Sequence, residues 1–152
     1  MSAGPFAERV TKKLSDLASR HSLSIRCEGT PGTQNGEVVY FENDSFSIVA
    51  SNERSEESIH VYCKIRPRPR AHLRNYSIGS LSAFLDGKTK PHPLRDFTRD
   101  ADDLIRLENE CLSVETLNSE ELRDWEKAAS RAFWGNRKGQ QGSDGKPDTV
   151  VS

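Results

Sequence analysis

Apolar positions along the chain follow two different rhythms, and the change between them organises the sequence. Near the start, Phe6, Val10, Leu14 and Leu17 recur at intervals of 4, 4 and 3. This is the single stripe of an amphipathic helix. Pro5 suits its first position, and Arg20 and His21 suit the negative pole at its end. The rhythm then shortens to two. Leu23, Ile25 and Cys27 alternate with Ser24 and Arg26, which predicts a strand with one buried face. Residues 29–36 form a loop that closes on the turn pair Asn35-Gly36, and Glu37–Glu42 is a second strand rich in β-formers. Asn43-Asp44 turns into a third strand, Ser45–Ala50, and the polar residues 52–58 lead to the clearest alternation of all. There Ile59, Val61, Cys63 and Ile65 interleave with His60, Tyr62, Lys64 and Arg66.

The same stretch ends its own strand. Pro67 and Pro69 each remove a ladder donor and hold the residue before them extended, so no central strand continues through them. Leu73, Tyr76 and Ile78 suggest a fifth, irregular strand. Beyond it the helical rhythm returns. Ser80–Gly87 reads as a short helix capped by Ser80 and stopped by Gly87. Residues 96–112 read as one long helix with Phe97, Ala101, Leu104, Ile105, Cys111 and Leu112 on its apolar face. A last helix is expected to start at Asn118, with Glu121 reaching back to the cap, Leu117 stapling onto Leu122, and Gly135 as its end. Its stripe is Leu122, Trp125, Ala129, Ala132 and Phe133.

Strands joined by short polar loops are satisfied by an antiparallel meander, because parallel neighbours need long crossovers. The fold class is therefore α+β: a four- to five-stranded antiparallel sheet with an N-terminal helix and two or three C-terminal helices. With 152 residues the chain has room for one ordinary core. Residues 1–135 form that single domain, and the Gly-, Gln- and Ser-rich residues 136–152 read as a disordered tail.

Composition adds location and excludes several chemistries. No apolar run approaches the roughly 18 residues of a membrane span, and the first residues lack the pattern of a signal peptide, so a cytoplasmic protein is expected. Cys27, Cys63 and Cys111 are far apart and fall at apolar positions, which predicts three buried free thiols. There is no Cys-x-x-Cys pair, phosphate loop or Gly-x-Ser-x-Gly nucleophile motif. Asp102 and Asp103, being adjacent on a helix, diverge rather than converge. No metal or cofactor is expected, and the chain reads as a non-enzyme.

Charge is nearly balanced at −1 overall but separates along the chain. Residues 64–95 hold eight Lys or Arg against Asp86, a net of +7, whereas residues 96–126 hold eleven acids against three Arg, a net of −8. Two candidate surfaces follow. Asp100, Asp102, Asp103, Glu110, Glu120 and Asp124 lie on neighbouring helices and can imitate a phosphate backbone before a basic partner. The alternative is Tyr62 with Arg66, Arg68, Arg70 and Arg74, where guanidinium forks track phosphates and the ring stacks on a base. Each has a plainer explanation: helix first turns attract carboxylates, and charges at a strand edge discourage pairing.

At the acidic, well-capped C-terminal helices, and in its order of helix, strands and helices over residues 4–135, the chain resembles the small α+β immunity proteins that accompany bacterial polymorphic and contact-dependent toxins. The resemblance implies a non-enzymatic protein that binds one cognate toxin domain encoded by an adjacent gene, with a nuclease as one candidate. It assigns no binding residue by position. The alternative function is a small nucleic-acid-binding module using the basic run.

Overall fold

The fold rests on one sheet whose register matches the alternation of the sequence. In a computed structural model that describes residues 4–29, 36–53, 56–65, 74–92 and 96–142, with side chains omitted at 74 and 132–142, five strands pair antiparallel in the order of the chain. They are β1 (Ser24–Gly29), β2 (Glu37–Glu42), β3 (Phe46–Ser51), β4 (Ser58–Cys63) and β5 (Arg74–Ser77). Val39 faces Ala50, which faces Ile59, and Phe41 faces Ile48, which faces Val61. These six residues are fully buried on one face of the sheet. The helices pack on that same face, and their apolar stripes join it in a single core.

Helix α1 (Pro5–Arg20) buries Phe6, Val10, Leu14 and Leu17, the stripe read from the sequence. Its exit is sharp because Ser22 adopts a left-handed φ of 54°. Ser22 N–H then reaches Ser19 O and Leu23 N–H reaches Ala18 O at 2.8 Å, closing the helix in a Schellman turn without glycine. The start of α1 has no side-chain cap of its own. Instead the buried Glu37 of β2 accepts the N–H of Ala7 at 3.0 Å and of Phe6 at 3.4 Å. A second carboxylate works the same way from the loop that leads into β4. Glu57, just before β4, accepts Phe97 N–H at 2.8 Å at the start of α3 (Phe97–Arg106) and binds Arg9. Arg9 in turn lies over the rings of Phe6 and Phe97, which meet edge to face at 5.8 Å.

Several sequence expectations move. β1 has no buried face: all six residues are exposed, Ile25 at 43%, and Cys27 is an exposed thiol rather than a buried one. Ile25 and Cys27 pair with the buried Phe41 and Val39, so they lie on the core side but beyond the cover of α1. The fifth strand ends at Ser77, whose Oγ caps α2 (Ile78–Leu85), so Ile78 belongs to a helix and Ser80 is not the cap. Gly87 stops α2 as expected, with a φ of 78° and Lys88 N–H returning to Ala83 O.

The long helix expected over residues 96–112 is broken after Arg106 into α3 and the single turn α4 (Glu108–Cys111), and a further single turn, α5 (Val114–Leu117), follows. Asp96 caps α3 and Ser113 caps α5 through side-chain oxygens. The last helix, α6 (Glu120–Gly142), is capped by Ser119, which accepts Leu122 N–H, and it runs seven residues past Gly135 into the segment read as a tail. Residues 143–152 lie outside the described residues. Asn118 has a different task, donating through Nδ2 to Ile65 O at 2.9 Å. Trp125 fixes α6 to α2 by an edge-to-face contact with Phe84 and a 2.7 Å bond to Lys88 O.

Candidate interaction surfaces

The acidic helices split into carboxylates used inside the fold and carboxylates left outside. Asp100 is buried at 7% exposure, so it is not part of a docking face. Asp103 is mostly covered and accepts from Arg106 at 3.2 Å. Glu108 is held by Nε and Nη2 of Arg20, at 2.9 and 2.6 Å, and by His21 at 2.7 Å. The Arg20 bonds hold its carboxyl below the usual carboxylate range against the opposing effect of burial, with His21 adding to the depression. Glu126 is half-buried, and burial pushes its carboxyl up. Asp86, outside the segment, takes both nitrogens of Arg106, at 3.0 and 2.9 Å, and is lowered by that bond.

The remaining seven acids of residues 96–126, Asp96, Asp102, Glu110, Glu115, Glu120, Glu121 and Asp124, are exposed. Asp102 meets Lys13 of α1 at 2.8 Å, and Glu120 lies 3.8 Å from Arg123. Pairs this exposed contribute little. Across the fold, Lys13 and Arg20 of α1 and the imidazole of His21 just after it meet carboxylates of the acidic segment. Of the six acids picked from sequence, Asp102, Glu110, Glu120 and Asp124 stay on the surface.

The second surface is the outer face of the sheet, away from the helices. Register brings Arg26, Tyr40, Val49, His60 and Ser77 into one row across the five strands. Glu42, Ser47, Tyr62 and Asn75 form the next. Tyr62 and His60 therefore sit on the open face, as the alternation implies, and burial lowers the His60 pKa. The guanidinium of Arg26 stacks 4.0 Å above the Tyr40 ring. Glu42 lies 3.7 Å from Lys64 and 3.5 Å from Arg26, so positive and negative groups alternate across the described part of this face. Tyr40, Val49 and Arg26 were missed in the sequence, although the alternation of β2 and β3 taken with a meander places them beside His60. Arg66, Arg68 and Arg70 lie outside the described residues; Arg74 enters β5 opposite Cys63.

Among the described residues no group of three or more His, Cys, Asp or Glu is placed to hold a metal ion, and no helix is long and apolar enough to cross a membrane. Compared with known protein families, with curated proteins and with solved structures, the chain shows no significant match.

Proposed function

We propose that the protein is a non-enzymatic immunity protein, working in the cytoplasm, that neutralises a cognate bacterial toxin by binding it directly. The observation that carries this reading is the set of seven exposed carboxylates on the helical side, four of them Asp102, Glu110, Glu120 and Asp124. Such a surface steers a basic partner and favours fast association. A nuclease groove is the partner it fits best. Co-expression with the product of the adjacent gene tests it: growth is rescued and a stable complex purifies, and reversing Glu110, Glu120 and Asp124 to Lys together abolishes both. Unrelieved toxicity with no complex sinks the reading.

The open sheet face favours a second reading, a nucleic-acid-binding module in which Tyr62 stacks on a base and the arginines of the basic run track phosphates. It requires affinity for oligonucleotides that falls steeply with salt and drops when Arg68 and Arg70 become Ala. Binding that is absent, or indifferent to salt, rules it out.

A further inference from the structure

β1 is one of the two outer strands of the sheet, and among the described residues nothing pairs with its free edge. The direction of its unused backbone groups follows from the ladder. Glu37 donates its N–H to Asn52 Oδ1 at 2.6 Å and accepts Asn52 N–H on its carbonyl at 3.2 Å, so both its groups turn toward β3. Alternate residues of an antiparallel strand point the same way, so Val39 and Phe41 also turn toward β3. Their partners on β1, Cys27 and Ile25, therefore turn away from β2 and present N–H and C=O along the open edge. Natural edges are guarded by proline, bulges or repelling charge. β1 carries instead one cation and one anion, Arg26 and Glu28, both exposed, on the same face and paired with each other within the chain.

We propose that the free edge of β1 pairs antiparallel with β1 of a second copy of this chain, about a two-fold axis that passes between the two Cys27 residues. An axis perpendicular to the sheet keeps the core side of both copies together, so facing residues share a face and the axis falls on a residue of β1. Centred on Ile25, Cys27 faces Leu23, whose N–H is already given to Ala18 O. Centred on Arg26, two guanidinium groups oppose each other, which is destabilising. Centred on Cys27, every Arg26 faces a Glu28, each Cys27 exchanges both backbone bonds with its counterpart, and Ile25 faces Gly29. The core-side row then reads Val39, Cys27, Cys27, Val39, an apolar line that crosses the axis. The acidic helices stay free, so the contact stands whether or not the toxin reading holds.

Sedimentation equilibrium of the full chain over a wide concentration range tests the edge, and charge reversal tests the register. Arg26→Glu and Glu28→Arg each weaken the dimer about tenfold, because symmetry places two like-charge pairs across the axis, and the double variant restores it. Mild oxidation with copper–phenanthroline and dioxygen provides a geometric readout. Two thiols lose two protons and two electrons to form one disulfide, and the spacing of about 5.5 Å between Cα atoms of a hydrogen-bonded pair lies within bridging range. The wild-type chain gives a covalent dimer, whereas Cys27→Ser gives none yet still dimerises in the centrifuge. A monomer at every concentration overturns the proposal. So does a dimer that ignores the single reversals.

Discussion

Glu37 accepts the backbone N–H of Ala7 at 3.0 Å, so the first helix is capped by a strand residue 30 positions away in sequence. The carboxylate meets the positive end of the helix dipole inside the core, where replacing it leaves buried donors unpaired. Glu37→Ala is expected to lower unfolding stability by about 1–3 kcal/mol in urea melts. Glu37→Gln, which keeps an acceptor oxygen but not the charge, loses less.

Glu108 contributes to acid sensitivity. Its folded pKa is depressed, chiefly by Arg20, so its contribution to stability is complete above the unfolded value of about 4.3 and is lost as pH falls through the lower folded value. Urea midpoints measured below neutral pH should fall more steeply for the wild type than for Glu108→Gln. Equal slopes would show that the Arg20–Glu108 contact is not formed in solution.

The three thiols differ in reach. Cys27 is exposed, whereas burial pushes the Cys63 thiol up and the Cys111 thiol to about 12. Thiolate is the reactive form. With the aromatic disulfide reagent DTNB, one thiol should react promptly and two only after denaturant is added, and Cys27→Ser should remove the prompt phase.

Ser22 holds a left-handed φ of 54° in which a Cβ is unfavourable. Ser22→Gly keeps the Schellman turn and relieves that cost, so thermal unfolding should show a gain of about 0.5–1 kcal/mol. A loss would mean that the added freedom of the unfolded chain dominates.

At the last helix the roles of two neighbours separate. Ser119→Ala removes the cap and is expected to cost about 1 kcal/mol, with loss of helical circular dichroism from α6. Asn118→Ala should leave that helicity intact and loosen the Ile65 backbone instead, seen as faster amide exchange at the end of β4.

Much of this fold is legible in the sequence because β2, β3 and β4 carry a real contrast between faces. Val39 and Phe41 meet Ile48 and Ala50, and the short polar turns between them leave antiparallel pairing as the simplest solution. β1 shows the limit of alternation. Ile25 and Cys27 have the right period, but whether a face is covered depends on where α1 stops, which no local pattern states. The break after Arg106 is equally non-local, since Glu108 turns to meet Arg20 and His21 some 88 and 87 positions away. Asn118 and Ser119 are both good caps by type, and the choice falls to Ser119 once Asn118 is engaged by Ile65. On the acidic surface the segment charge is readable, but the removal of Asp100 and Asp103 from it is decided by packing.

The consecutive strand order has a kinetic consequence. Each strand pairs with the next along the chain, so the sheet assembles by closing a succession of short loops, which carry little entropic cost and favour rapid folding. The β2–β3 hairpin is the tightest of them, with Asn43 Oδ1 already gathering the N–H groups of Ser45 and Phe46 at 2.7 and 2.8 Å. Helix α1 takes its cap from the Glu37 carboxylate of β2, a contact distant in sequence. Substitutions in that hairpin should slow folding, and those at the Glu37 cap should mainly hasten unfolding.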